Sequence, residues 1–303
     1  VIIFLSVLGV LGVAASGPIM AATVAPALAI AFWRNAIGAL VMGGPAALSK
    51  RHEFKALRRT DFIRLSVAAT ALALHFACFI TALKLTSVAA ATALVCLQVA
   101  WIALFNAIQG SRPATKVIVG LGVALAGVVV ITGFDLTLSQ DAIIGDLLAL
   151  AGGALAGIYQ MAGAGARKTM STGTYTTLCY GGCAVILLAL CLIFRQPLTG
   201  FSPAAWVGIL AVTLVAQLMG HTVFNHLLAV MSPLVVSMII LLEIPGAALL
   251  AAVFLGEQLP AGTYGGLLLI LVGLAIVVRG QTNGRARAIE EAATVPPPAM
   301  GGS

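Results

Sequence analysis

The stretch PLVVSMIILLEIPGAALLAAVFL, residues 233–255, decides the fold. It runs 23 residues with a single charged side chain, Glu243, near its middle. Roughly 20 apolar residues in a helix suffice to cross the hydrocarbon of a bilayer. The apolar character is continuous rather than alternating, so it reads as a helix and not as a barrel strand. The rest of the chain is of the same kind. Of 303 residues 61% are apolar and 8% charged, where a soluble domain carries about a quarter charged. No water-soluble core hides that much apolar surface, which excludes a soluble enzyme. Collagen, coiled coil and a disordered chain are excluded by the lack of glycine triplets, charged heptads and polarity.

Repeating this reading along the chain places spans at 2–21, 27–48, 62–83, 87–108, 114–133, 142–165, 172–194, 204–229, 233–255 and 261–279. Turn chemistry separates them, as at Ala25-Pro26, Ser111-Arg112-Pro113, Gln196-Pro197 and Met231-Ser232-Pro233. The expected fold class is an all-α polytopic membrane protein with ten transmembrane helices. The segment 281–303 carries Arg285, Arg287, Glu290, Glu291 and Pro296-Pro297-Pro298 without apolar periodicity, and reads as a disordered tail. The first apolar stretch lacks a basic flank and is followed by further spans, so it reads as a helix rather than a cleaved leader.

Lysine and arginine orient the spans. With the N-terminus inside, the inner loops and tail hold 13 of the 16, among them Lys50, Arg51, Lys55, Arg112, Lys116, Arg167 and Arg279. The outer loops hold Lys84 and Arg195, and Arg34 lies within a span. The positive-inside rule then predicts that both termini and the tail are cytoplasmic. The formal charge of +7 is this topology signal and not a footprint for nucleic acid.

The second half echoes the first. Phe79, Ser87 and Gln98 match Phe224, Ser232 and Glu243 at one constant offset, and Gly120 and Gly127 match Gly266 and Gly273 with one extra residue between. Each half, 1–134 and 135–280, holds five spans. An odd number turns one copy upside down relative to the other. Inverted repeats of this kind are the architecture of secondary transporters, with the substrate near the midplane where the halves meet.

Residues 233–279 read Pro-Leu-Val-Val, then Leu-Leu-Glu-Ile-Pro, then Phe-Leu-Gly-Glu-Gln-Leu-Pro, followed by Gly-Gly and a final Gly. This resembles the second-repeat signature of the drug/metabolite transporter superfamily, EamA type. Phe32-Trp33-Arg34-Asn35 and Leu85-Thr86-Ser87-Val88-Ala89-Ala90-Ala91 are similar to the first-repeat pattern. The resemblance covers residues 1 to 280. It departs from the family at Leu242-Glu243-Ile244-Pro245, where Leu-Glu-Pro is usual, and at Gly110-Ser111, where Gly-Glu is common. It implies ten helices, two inverted five-helix repeats, a bacterial-type inner membrane and export of small metabolites. Within the family it points to YddG-like exporters of aromatic and other amino acids.

Polar side chains at membrane depth are the candidates for transport, since a central charge costs about 2.5–3.5 kcal/mol on insertion scales. Glu243 is read as an amine ligand or proton carrier; the structural alternative is a hydrogen bond between helices beside the Pro245 kink. Gln98 is its counterpart, with Trp101 one turn later offering an aromatic face, or else packing against lipid. Phe79 adds a second ring. His75 and His221 occupy nearly equivalent places, to hold a carboxylate, relay protons or make a structural hydrogen bond. Gln217, His221 and Asn225 fall on one stripe at i, i+4 and i+8, too polar to face lipid. Tyr159 follows a run of small residues and lines either a cavity or a helix interface. Arg34 is expected to snorkel outward or pair with a helix end. Glu257 is expected to cap or pair at the outer end, and Gly17-Pro18 to kink the first span.

No cofactor or metal is expected. The five cysteines lie in apolar spans, and Cys179 and Cys183 have no third ligand nearby. No Walker loop, Gly-x-Ser-x-Gly elbow or His-Glu-x-x-His is present. The leading reading is a secondary transporter exporting aromatic and hydrophobic amino acids by alternating access. Its partners are a small-molecule substrate and the lipid bilayer, with no nucleic acid and no obligate protein partner. A multidrug or cationic-compound exporter of the same superfamily is the nearest alternative. A membrane-embedded transferase would need a nucleophile and base or an acidic cluster, and only one acid sits deep here. A channel would need a charge ring or filter loop.

Overall fold

The computed structural model describes residues 1–110, 114–134, 139–258, 262, 264–273 and 275–276. The expected tail at 281–303, the turn Ser111-Arg112-Pro113 and the junction at Asp135 lie outside the described residues. Among the described residues every regular element is helical.

Eight helical segments among the described residues are long and apolar enough to cross a membrane. They are α1–α2 (Ile2–Ala14 and Ser16–Ala22), α3 (Ala27–Ser49), α5 (Arg59–Ala82) after the short α4 (Arg51–Lys55), and α6–α7 (Val88–Val95 and Gln98–Ile108). Then come α9 (Gln140–Ala166), α10 (Thr172–Ile193), α11 (Pro203–Val212) continued to α12 (Thr222–Leu227), and α13–α14 (Pro233–Ile240 and Glu243–Leu255). The fifth and tenth expected spans correspond to α8 (Thr115–Phe134) and α15 (Tyr264–Gly273), whose apolar described parts are shorter.

Serine sets the start of five of these helices. Ser87, Ser139, Ser171, Ser202 and Ser232 each accept a hydrogen bond at Oγ from the amide three residues on. Such a cap satisfies one of the four amides that a helix start leaves without a partner. Pro203 and Pro233 follow two of the caps, where a missing N–H costs nothing.

Three spans are interrupted inside the bundle. Pro18 lacks an N–H and its ring opposes the carbonyl of Ala14, so α1 ends there and α2 begins at Ser16. Pro245 does the same to Leu241, and α13 gives way to α14 at Leu241-Leu242. The matching break between α6 and α7 falls at Cys96-Leu97 with no proline to cause it. Gln98 and Glu243 are therefore the first residues of two half-helices, at the same offset that relates Ser87 to Ser232.

Glycine lets the helices touch. A Cβ on Gly12 would lie 2.7 Å from the Gly220 amide nitrogen, and one on Gly153 2.7 Å from the Val95 carbonyl. Between α8 and α15 the contact is reciprocal: a Cβ on Gly127 would sit 2.5 Å from the Gly266 carbonyl, and one on Gly273 2.5 Å from that of Gly120. Small residues at such crossings replace the hydrophobic driving force that lipid cannot supply. Gly127→Ala will therefore lower thermal stability in detergent by about 1–3 kcal/mol, the usual cost of overpacking. Gly122→Ala on the same helix, with open space around its Cβ, will leave it unchanged or slightly raised. Equal melting of the two variants would remove the α8–α15 contact from the account.

Opposite ends of the bundle are sealed differently. At the end carrying the basic turns, Glu53 accepts the Ser171 amide at 2.8 Å and Thr169 Oγ1 donates to Asp61 at 3.0 Å. Partial burial raises the Glu53 pKa, but the hydrogen bonds from Ser171 outweigh it and hold the carboxyl below its usual value. At the other end Lys84 Nζ donates to the carbonyls of Met20, Ala21 and Thr23 at 2.9, 3.1 and 2.7 Å, closing the C-terminus of α2. Burial lowers the Lys84 pKa. Glu257 Oε1 accepts the Val88 amide at 3.0 Å, so it serves the N-terminus of α6.

Candidate functional site

The interrupted helices meet around one central cavity. Ser16 reaches it from the break in the first span, Gln98 and Glu243 from the starts of α7 and α14, and His75, Phe76 and Phe79 from α5. Tyr159 and Gln160 come from α9, and His221, Phe224 and Asn225 from the end of α11–α12. Its volume is about 40 Å³. A water needs at least roughly 10–15 Å³ on this kind of measure, so the cavity holds a few waters and no metabolite. The cavity is contracted in this structure, and a metabolite would fit only if it widened. A larger recess of about 490 Å³ lies at the basic end beside Lys168, and Leu228 lines both spaces.

Hydrogen bonds fix much of the lining. Tyr159 donates to Asn225 Oδ1 at 2.7 Å, and Asn225 Nδ2 donates to the Tyr180 hydroxyl at 3.1 Å. Gln160 Nε2 donates to Gln98 Oε1 at 3.0 Å. His75 Nδ1 lies 3.0 Å from the Gly152 carbonyl, and its ring stacks on Phe79 at 5.9 Å between centroids. The His221 ring meets Phe76 edge to face at 5.2 Å and lies 6.5 Å from His75.

Arg34 neither snorkels nor pairs with a helix end. It is 0% exposed, and the guanidinium stacks over the Phe76 ring, 4.1 Å from its centroid. Its Nε donates to Gln217 Oε1 at 2.8 Å, and Nη1 approaches Met20 Sδ at 3.3 Å. Gln217 Nε2 in turn donates to Asn35 Oδ1 at 3.1 Å. Outward snorkelling fails because Gln217, Met20 and the Phe76 ring hold the guanidinium inside the bundle, where α3 packs against α10 and the Thr213–His221 segment.

Seven of the nine expected site residues line the cavity: His75, Phe79, Gln98, Tyr159, His221, Asn225 and Glu243. Two do not. Trp101 stacks on Phe105 at 6.2 Å between centroids, away from the cavity. Three residues of α-helix turn about 300°, which keeps Trp101 near the Gln98 face, but its Cβ lies against Gly157 of α9 and its ring runs on to Phe105. Gln217 is turned toward Arg34 and Asn35 because residues Thr213–His221 form a π-helix rather than an α-helix. That winding breaks the expected i, i+4, i+8 stripe and re-aims His221 and Asn225; such segments gather at functional sites. Gln160, Phe76, Ser16 and Tyr180 were not anticipated. Gln160 had a signal, since it falls on the same helical stripe as Gly153, Ala156 and Gly157.

Among the described residues no group of three or more His, Cys, Asp or Glu is placed to hold a metal ion. The arrangement suits a solute with an apolar body and a few hydrogen-bonding groups: four aromatic rings on the wall, one carboxyl, three amides and two imidazoles.

An all-helical bundle, among the described residues, with eight membrane-length apolar helices and polar groups on a central cavity is a multi-pass membrane protein. The chain belongs to the EamA-like transporter family, whose model matches residues 1–133 and 143–279. Membership makes it a transporter of the drug/metabolite superfamily in class and points away from an enzyme. A solved crystal structure shares the fold at a TM-score of 0.69, with 19% identity, over 90% of this chain and 95% of the other. No curated protein matches the chain.

Proposed function

We propose that the protein exports small amphipathic metabolites, foremost aromatic and hydrophobic amino acids in the manner of YddG-like exporters, by alternating access. Ten helices form two inverted five-helix repeats, 1–134 and 135–280. The membrane is a bacterial-type inner membrane, with both termini and the 281–303 tail cytoplasmic. The observation that carries the reading is the cavity at the paired breaks of α6–α7 and α13–α14, where Gln98 and Glu243 enter at equivalent positions. Discontinuous helices meeting a midplane site between repeats are how secondary transporters bind. The reciprocal glycine contact of α8 and α15 supports the two-fold relation. His75, Phe79, Gln98, Tyr159, His221, Asn225 and Glu243 contact substrate; Trp101 and Gln217 support the site from outside it.

Two measurements test this. Counterflow in proteoliposomes over a panel of amino acids will show exchange of phenylalanine and leucine without chemical change. Exchange of phosphorylated sugars and of no amino acid would overturn the substrate class. A cysteine at position 55, in a chain without its native cysteines, will label only from the cytoplasmic face. Labelling from outside intact cells would overturn the topology.

A further inference from the structure

One buried acceptor on the cavity wall is left without a partner, and it says which pole of a substrate the site holds. A backbone carbonyl only accepts, so the 3.0 Å contact with Gly152 requires the proton of His75 on Nδ1. The ring is 6% exposed and no carboxylate is hydrogen-bonded to it among the described residues, so burial favours the neutral ring, which leaves Nε2 as an acceptor. Gln160 is 4% exposed, and its Oε1 has no partner while its Nε2 is taken by Gln98. Exchanging O and N in both amides changes nothing in the count, because one carbonyl of the pair still lacks a donor. The Glu243 carboxyl lines the same cavity and makes no hydrogen bond among the described residues.

Donors are fewer. The Tyr159 hydroxyl is committed to Asn225, and the Asn225 amide to Tyr180. What remains is the second amide nitrogen of the glutamine pair, one N–H of His221 and the Ser16 hydroxyl. The guanidinium nitrogen of Arg34 that lacks a partner belongs to a residue outside the lining. A buried polar group without a partner costs on the order of 1–3 kcal/mol; on this wall that group is the Gln160 carbonyl, so the ligand that fits supplies it a donor.

The geometry points to an ammonium-recognition site formed by Glu243, the unpaired carbonyl of the Gln98–Gln160 pair and His75 Nε2, which selects substrates by a primary amine and not by a carboxylate. A protonated amine has three N–H donors and one positive charge, against three acceptors of which one is an acid. The rings of Phe79 and Phe224 then take the apolar body. This rests on the proposed export of amphipathic solutes and adds which pole of them is read. Among the described residues no arginine or lysine lines the cavity, and Arg34 stands behind the Phe76 ring rather than on the wall, so the substrate carboxylate has no clamp in direct contact.

The test separates the two poles on one aromatic scaffold. Phenethylamine lacks the carboxylate of phenylalanine; 3-phenylpropionate lacks the amine. Thermal shift of the purified protein and inhibition of phenylalanine counterflow are measured with each. The expected result is that phenethylamine stabilises the protein and inhibits, while 3-phenylpropionate is weaker by roughly tenfold or more, the factor set by about one lost hydrogen bond. Gln160→Met will raise the phenethylamine concentration for half inhibition by a similar factor. Should that variant misfold, Gln98→Met makes the same test from the other amide. Equal or stronger action of 3-phenylpropionate overturns the inference and leaves amino-acid export standing. Stabilisation by phenethylamine with no amino-acid counterflow keeps the amine site and overturns the export reading.

Discussion

Gln217→Leu will be the most damaging single polar change in the bundle. Gln217 is 0% exposed and bridges the fully buried Arg34 to Asn35 at 2.8 and 3.1 Å. Its loss strips Arg34 Nε and Asn35 Oδ1 of their partners, and Arg34 already has one nitrogen without any. An uncompensated buried charge costs on the order of 3–5 kcal/mol. The variant is expected to lose about 3 kcal/mol or more of stability, read as a lower melting temperature and a smaller monodisperse fraction. Adding Arg34→Met removes the stranded charge and will recover a large part, so the pair couples in a double-mutant cycle. Simple additivity of the two losses would show that the Arg34–Gln217 bond carries no stability.

Glu243→Gln is the second large effect, and it falls on transport rather than on folding. The substitution keeps the shape and most hydrogen bonding of the side chain while fixing it neutral. Wild-type flux will vary with pH if the carboxyl gains and loses a proton during the cycle. The Gln variant will be slower and flat across about pH 5 to 8, a range above the ordinary carboxyl value. Glu243→Ala will be worse, since it also opens a void. Wild-type rates in the Gln variant over that whole range would reduce Glu243 to a helix contact and leave uniport as the mode.

The bundle was legible in the sequence because hydrocarbon leaves little latitude. Spans read from apolar runs fall within about three residues of the helices from Ile2 to Leu255. The serines that cap α6, α9, α10, α11 and α13 sit where the runs stop. Seven of the nine expected site residues line one cavity because polar groups at depth have few places to go. Departures from ideal winding were not legible. Pro18 and Pro245 announce their breaks, but nothing local marks Cys96-Leu97, and nothing marks the π-helix at Thr213–His221. The second of these decides where Gln217 points. Arg34 was misjudged for a related reason. A long cation in a span is expected to seek water, unless neighbouring helices provide an amide, a thioether and a ring, and these come from distant parts of the chain.

The claim that the central cavity opens alternately to the two faces is tested most directly by a cysteine at Ser16, in a chain without its native cysteines. Ser16 lines the cavity at the break between α1 and α2 and is 3% exposed in this contracted state. An impermeant thiol reagent is applied from each side in right-side-out and inside-out vesicles. The account predicts modification from both sides, and a shift in the ratio of the two rates when phenylalanine is present on one side only. Modification from one side alone, at a rate that phenylalanine leaves unchanged, would contradict it.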